Sequence, residues 1–262
     1  MNVKEGSSAN NNLMENVEGN LNIVSDVGVI LPTYCEASNI KNLIEEIESL
    51  NLNVSILVID DSSPDRTADI VRNLQKQYGN ILLYVRPQKL GLGTAITDGF
   101  RIFMSLTNAP KCIITMDADY SHNPNDIPRL VAAFRDGYDL VVGSRYRSGG
   151  GALDWSVIRR VISKVANFIA SVVVKAGICD YTSGFRCYST RLVRGIINDL
   201  HSQTYEIQIE TVRQACLKGF RLGEVPIIFV NRKRGKSKLA FNEIKQFISY
   251  ILAKVVLHRP ML

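Results

Sequence analysis

Five short apolar runs restrict this sequence to a narrow range of folds: Val27 to Leu31, Val54 to Ile59, Ile81 to Val85, Cys112 to Met116 and Leu140 to Val142. None keeps a strict apolar–polar alternation, so each suits a strand covered on both faces. The segments between them carry helical patterns. Ser38 opens one that runs to Leu50, Asp65 or Thr67 one that runs to Tyr78, Gly91 to Leu106 supplies a third and Asn125 to Arg135 a fourth. Strand and helix in regular alternation predict an α/β domain with a mostly parallel central sheet, flanking helices and right-handed crossovers. The later part is less regular. Ser156 to Ala176 is a long amphipathic pattern, Thr190 to Leu200 and Glu206 to Lys218 read as helices, and Val225 to Val230 reads as one more strand. Phe241, Ile244, Phe247, Ile248, Ile251, Leu252, Val255 and Val256 then recur at helical spacing, a single apolar stripe on a helix over 241–257.

A chain of 262 residues, 46% of them hydrophobic, has room for one large core. Residues 1–25 stand apart: Asn, Ser, Glu and Gly dominate, and such a segment buries too little apolar surface to offset its ordering entropy. A disordered tail is expected there, without the apolar centre of a secretory signal, and residues 26–262 are expected to form the domain. Cys35, Cys112, Cys179, Cys187 and Cys216 are scattered, with no Cys-x-x-Cys pair, which favours reduced thiols. No apolar stretch has the length of a spanning helix.

Charge and acidic motifs narrow the chemistry. The net charge is +6, yet residues 145–262 hold 20 Lys and Arg against 7 Asp and Glu, so the earlier part is acidic overall. At the end of the fourth apolar run stands Asp117-Ala118-Asp119, two carboxylates at the edge of a sheet where a hard divalent cation and a diphosphate would be received. The first run ends in Pro32-Thr33-Tyr34-Cys35-Glu36 and the second in Asp60-Asp61-Ser62-Ser63-Pro64-Asp65. Loops after successive parallel strands line one crevice, so these segments converge with Asp117 and Asp119 on a nucleotide site. Tyr34 either stacks on a base or packs, Asp61 is placed to accept hydrogen bonds from a base or ribose, and Asp60 alternatively bonds backbone amides. Gly91-Leu92-Gly93 lacks the Lys-Ser/Thr ending of a phosphate-binding loop and is read as a close-packing device. No aromatic-interleaved basic motif and no zinc spacing supports nucleic-acid binding.

Taken together, Pro32-Thr33-Tyr34-x-Glu36, Asp60-Asp61-x-Ser63-Pro64-Asp65, Leu90-Gly91-Leu92-Gly93-Thr94-Ala95, Met116-Asp117-Ala118-Asp119-Tyr120-Ser121-His122-x-Pro124 and Gly143-Ser144-Arg145-Tyr146 resemble the motif series of dolichol-phosphate mannosyltransferases, inverting family 2 glycosyltransferases. Ser183-Gly184-Phe185-Arg186, Gly223-Glu224-Val225-Pro226 and Arg232-x-x-x-x-Lys236-Ser237-Lys238-Leu239 extend the resemblance, which spans about Val27 to Val256. It implies a GT-A-type fold and transfer of mannose from GDP-mannose to dolichyl or another polyprenyl phosphate. Pro32, Tyr34, Glu36, Asp61, Asp117, Ala118, Asp119, Arg145, Arg232 and Lys238 then fall on donor-binding positions, with Asp119, Arg145, Arg159 and Arg232 on catalytic ones. Asp117, Asp119 and Ser121 fall on metal positions for Mg²⁺ or Mn²⁺; Ser121 stands where some members carry a glutamine, and its hydroxyl reaches less far. His122 is expected to support that loop.

The resemblance also implies a peripheral enzyme on the cytoplasmic face of a membrane, with a tethering subunit as a further partner. The basic amphipathic segment 156–176 is placed to lie among head groups, or else to dock on the domain's own core. The nearest rival chemistry is glucosyl transfer from UDP-glucose to a polyprenyl phosphate. A sugar-1-phosphate nucleotidylyltransferase would carry a Gly-rich, Arg- and Lys-bearing loop after its first strand, which Pro32-Thr33-Tyr34-Cys35-Glu36 is not.

Overall fold

A computed structural model describes residues 13–231. Arg232, Lys238 and the helix expected over 241–257 lie outside the described residues. Eight strands form one sheet in the order β1-β4-β3-β2-β5-β8-β6-β9. They are β1 (Val17–Glu18), β2 (Val27–Thr33), β3 (Val54–Asp60), β4 (Ile81–Val85), β5 (Cys112–Thr115), β6 (Leu140–Ser144), β8 (Arg186–Ser189) and β9 (Leu222–Pro226), while β7 (Gly151–Leu153) and β10 (Ile228–Val230) pair as a separate parallel ribbon. Strands β4, β3, β2 and β5 run parallel to one another, whereas β1 is antiparallel to β4 and β8 is antiparallel to both β5 and β6. All five apolar runs are strands of this sheet.

Alternate residues of each central strand feed two cores. Val29, Leu31, Ile56 and Val58 face one side, covered by α1 (Ile40–Glu48), α2 (Thr67–Gln75) and α4 (Ile127–Arg135). Ile30, Leu57 and Ile59 face the other, with Phe100 and Phe103 of α3 (Leu92–Ser105) and with α6 (Thr190–Ile196) and α7 (Ile207–Leu217). Helix α3 sits close on β2 because Gly99 lacks a side chain: a Cβ there would come within 2.7 Å of Ile30.

Two expectations change, and a third, left open between two readings, is narrowed. The tail expected over 1–25 does not extend that far, because Val17 and Glu18 pair with Tyr84 and Leu83, and Ile23 is buried in the core. The single strand expected over 225–230 is two: β9 stays beside β6 to Pro226, after which Ile228 to Val230 leaves the sheet for β7. The switch falls at Ile227, whose N–H still donates to the Ser144 carbonyl at 3.0 Å while its own carbonyl accepts from the Gly151 N–H at 3.0 Å. Third, α5 (Val157–Val174), capped by the Ser156 hydroxyl, buries only Asn167 and Ala170. Ala170, Val173 and Val174 near its end pack on the core, but Ile158 is 72% and Phe168 69% exposed, so most of its apolar stripe is not laid on the described core. No helix among the described residues is long and apolar enough to cross a membrane.

Candidate active site

The chain moves outward from β2 to β3 and β4 and then returns to β5 on the other side of β2. This reversal opens a crevice at the carboxyl ends of β2 and β5. A cleft of about 350 Å³ occupies it. Pro32, Tyr34, Glu36 and Asp61 line one wall, and Asp117, Ala118 and Asp119 line the other. Every donor-side residue expected from the sequence and lying before Arg145 is therefore in one cleft. Lys89, which sequence reasoning did not single out, holds its ammonium 4.5 Å from the centre of the Tyr34 ring.

The carboxylates of the second motif divide their work. Asp60 is wholly buried and accepts from Thr33 Oγ1 at 2.9 Å, Ser63 Oγ at 2.6 Å and Ser63 N at 2.8 Å, so it holds the loop together. Asp61 reaches the cleft and is gripped from behind by Arg86, whose Nε donates to its Oδ1 at 2.5 Å. Burial pushes the Asp61 carboxyl up, and the guanidinium works against that rise. Arg86 also donates to Thr94 Oγ1 at 2.7 Å and to the Gly91 carbonyl at 2.9 Å, tying the Gly91-Leu92-Gly93 segment to the wall that carries Asp61. Sequence reasoning missed Arg86; its one signal was a lone cation directly after the apolar run ending at Val85.

The two glycines allow close packing, as expected. A Cβ on Gly93 would lie 2.3 Å from the Ser202 carbonyl oxygen, and Gly91 has a φ of +99° that side chains rarely adopt. Glu206 and Glu210 stabilise the segment that packs there. Glu206 accepts from the Gln203 and Thr204 amides at 3.0 and 3.1 Å, and Glu210 from the His201 and Ser202 amides at 3.0 and 2.8 Å. Thr204 and Tyr205, on the same segment, line the cleft.

Asp117 and Asp119 project from the turn after β5. The Ser121 N–H donates to Asp119 Oδ1 at 3.0 Å, and the buried Ser121 hydroxyl has no partner. Among the described residues no three His, Cys, Asp or Glu side chains form a ready ligand shell. The donor set of two carboxylates, with an unpartnered hydroxyl on the same turn, fits a hard divalent ion that takes its remaining oxygens from a diphosphate and water. His122 is not a ligand in this arrangement. Its Nδ1 accepts from the Asp117 N–H at 3.1 Å, and its ring stacks on Phe185 with centroids 5.1 Å apart. Complete burial pulls it down to about 4, so it is neutral near pH 7 and carries its proton on Nε2.

A second cavity of about 190 Å³ adjoins the first and shares Leu92, Asp117 and Tyr205 with it. Arg145, Arg159, Trp155 and Phe229 form its cationic and aromatic wall. The guanidinium carbons of Arg145 and Arg159 lie 5.2 and 4.3 Å from the Trp155 ring centre. Arg145 is buried and bound bidentately to the wholly buried Asp180, Nε to Oδ2 at 2.8 Å and Nη2 to Oδ1 at 2.7 Å, with a further bond to Thr182 Oγ1 at 2.6 Å. Arg159 donates to Asn231 Oδ1 at 2.9 Å. Asp180 and Trp155 were not foreseen, because an isolated Asp and an isolated Trp in loops carry no spacing signature.

The sequence pattern of Glycosyl transferase family 2 matches residues 28–197. The chain is 36% identical over 220 residues to polyprenol monophosphomannose synthase of Mycolicibacterium smegmatis, covering 83% of this chain and 82% of that protein. It is 33% identical over 212 residues to undecaprenyl-phosphate mannosyltransferase of Micrococcus luteus, covering 80% and 86%. In fold it is similar to glucosyl-3-phosphoglycerate synthase from Mycobacterium tuberculosis in complex with Mn²⁺, UDP and glucosyl-3-phosphoglycerate: TM-score 0.65, 16% identity, covering 94% of this chain and 84% of that one. At that identity the likeness speaks for the architecture, which is GT-A-type as the motif series implied. The crevice between β2 and β5, the matched pattern and the two curated relatives agree, and the chain belongs to glycosyl transferase family 2.

Proposed function

We propose that this protein transfers mannose from GDP-mannose to the phosphate of a dolichyl or other polyprenyl phosphate, with inversion and release of GDP. The observation that carries the proposal is the junction of two cavities at Asp117, an acidic nucleotide cleft on one side and a cationic, aromatic pocket on the other. Mannosyl transfer to a polyprenyl phosphate is the activity named for both curated relatives.

Asp117 and Asp119 would hold Mg²⁺ or Mn²⁺, which when bound would offset the negative charge of the donor diphosphate and of departing GDP. Ser121 orients Asp119 through its N–H, and His122 fixes the backbone of Asp117. Tyr34 and Asp61 hold the nucleoside, with Pro32, Glu36 and Ala118 shaping the cleft. The acceptor is a phosphate monoester with a second pKa near 6, already anionic at neutral pH, so no general base is required. Its oxygen attacks the anomeric carbon opposite the diphosphate; the new C–O bond forms as the old one breaks, and that electron pair stays on GDP. Arg145 and Arg159 bring the anionic acceptor into line against the negative donor. Arg232 and Lys238 complete this anion binding in the proposal.

Purified protein offered a panel of nucleotide sugars with dolichyl phosphate is expected to make an organic-soluble glycolipid from GDP-mannose in preference to UDP-glucose. A higher kcat/KM with UDP-glucose would make it a polyprenyl-phosphate glucosyltransferase instead.

The prenyl tail stays in the bilayer, so the enzyme must work at a membrane surface, and we place it peripherally on the cytoplasmic face. Helix α5 borders the second cavity through Arg159, Ile162, Ser163 and Ala166 while exposing Ile158, Val161, Val165 and Phe168, with Arg160 and Lys164 beside them. This is a basic amphipathic surface suited to anionic head groups. Arg160→Glu with Lys164→Glu is expected to reduce sedimentation with anionic liposomes several-fold, and to slow transfer to long-chain dolichyl phosphate more than to a short soluble analogue. Equal slowing of both acceptors would assign orientation to another part of the protein.

A further inference from the structure

We infer that Gln208 determines sugar specificity, its side-chain carbonyl accepting a hydrogen bond from one hydroxyl of the hexose being transferred; this rests on the function proposed above. Gln208 lies in the first turn of α7, is 3% exposed and lines the second cavity, yet its Oε1 is buried with no hydrogen-bond partner. A buried carbonyl without a partner is rare and costly, and the transfer chemistry makes no use of it.

The residue is held rigidly. Arg186, wholly buried, donates to the Gln208 backbone carbonyl at 2.5 Å and to Thr211 Oγ1 at 2.8 Å. The same guanidinium donates to the carbonyls of Ser183 at 2.7 Å and Tyr181 at 2.8 Å, so the first turn of α7 is locked to the segment that carries Asp180. Gly184 leaves room in front of the amide. A Cβ there would stand 3.4 Å from Gln208 Nε2 and 3.6 Å from Asp117 Oδ1, so the amide and the Asp117 carboxylate flank the same small space.

The second cavity, which Gly184, Gln208 and Asp117 all line, is where the inference puts the hexose. A diphosphate held at Asp117 and Asp119 points its sugar away from the nucleoside cleft, and the acceptor phosphate approaches from Arg145 and Arg159; the ring lies between them. Hydroxyls there need acceptors, while the surrounding Arg145, Arg159 and His122 side chains supply donors. Trp155 Nε1, a second buried atom without a partner on the same cavity, adds one more donor. The unpartnered Gln208 carbonyl is the complement. A site built to bond a hydroxyl rejects an analogue that lacks it, because the protein group is then left unpaired.

The test compares kcat/KM for the parent nucleotide sugar and its monodeoxy analogues, each lacking one ring or C6 hydroxyl, in wild type and in Gln208→Met, which keeps the shape and removes the amide. One deoxy donor should be about tenfold or more poorer than the parent in wild type and should lose that deficit in Gln208→Met, while the other analogues keep theirs. Unchanged deficits for every analogue would overturn the inference. If thermal unfolding shows Gln208→Met to be unfolded, Gln208→Asn, which withdraws the same amide, should show the same selective loss, and its absence there overturns the inference equally. The series is built on whichever nucleotide sugar the wild type uses, so an error in the donor appears in the choice of parent and not in the coupling. Wild type inactive with every donor would overturn the proposed function itself.

Discussion

Asp119→Asn is expected to lower kcat/KM by roughly a thousandfold or more while leaving the unfolding midpoint nearly unchanged. The substitution is isosteric, and the bond from the Ser121 N–H, 3.0 Å to Oδ1, survives with an amide oxygen as acceptor. What is lost is one negative charge on a side chain that is 9% exposed and lines the cleft, where the proposal puts the diphosphate. Asp117→Asn should behave alike, because the bond that holds this turn, from the Asp117 backbone N–H to His122 Nδ1, does not use the carboxylate. Chelation with EDTA should abolish turnover in the wild type, and Mg²⁺ or Mn²⁺ should restore it. Steady-state kinetics alongside thermal unfolding separates this outcome from a folding defect. Wild-type turnover in Asp119→Asn would remove the carboxylate pair from the reaction.

The second large effect lies behind the site. Asp180→Ala is expected to cost about 3–5 kcal/mol of stability, the usual range for removing one partner of a buried ion pair. Asp180 and Arg145 are both buried, with two bonds at 2.7 and 2.8 Å, and deletion of the carboxylate strands a guanidinium among Trp155, Phe229 and Tyr146. The paired substitution Arg145→Met with Asp180→Leu should recover much of that stability yet remain inactive, because the second cavity then lacks the Arg145 charge proposed to bring the anionic acceptor into line. The pH dependence follows from the same contact. Burial pushes the Asp180 carboxyl up, but Arg145 and the backbone amides outweigh it and hold the carboxyl below the usual carboxylate range. Its contribution is therefore intact at neutral pH and is lost as acid carries the solution below the unfolded value of about 4. Urea unfolding at pH 7 and in that acid range should show a larger loss for wild type than for the double variant. Equal losses would place the acid sensitivity elsewhere.

These outcomes also mark what the sequence made legible. Strands β2 to β6 announce themselves because each is buried on both faces and must be apolar throughout, whatever its neighbours. Asp117 and Asp119 were readable because two carboxylates end the run together within a series of recognisable motifs, whereas Asp60, which also ends a run, proved structural. Strand β8 was not read: its Arg186, Cys187, Tyr188 and Ser189 look like a mixed surface segment, and only long-range pairing with β5 and β6 buries them. Arg86, Arg186 and Asp180 were opaque for a related reason. A lone charge in sequence reads as solvated, and its burial depends on partners distant along the chain. The amphipathic pattern of 156–176 left two surfaces open, and the exposure of Ile158 and Phe168 is what favours one of them.

The configuration of the product tests the account most directly. Incubating the protein with GDP-α-mannose, a divalent cation and a short polyprenyl phosphate, then determining the anomeric configuration of the extracted mannolipid by NMR, reads out donor, acceptor and stereochemistry together. In-line attack by an acceptor held at Arg145 and Arg159 predicts β-mannosyl phosphate, formed only when the acceptor is present. Mannose retained in the α configuration, or no lipid-linked mannose at all, would contradict it.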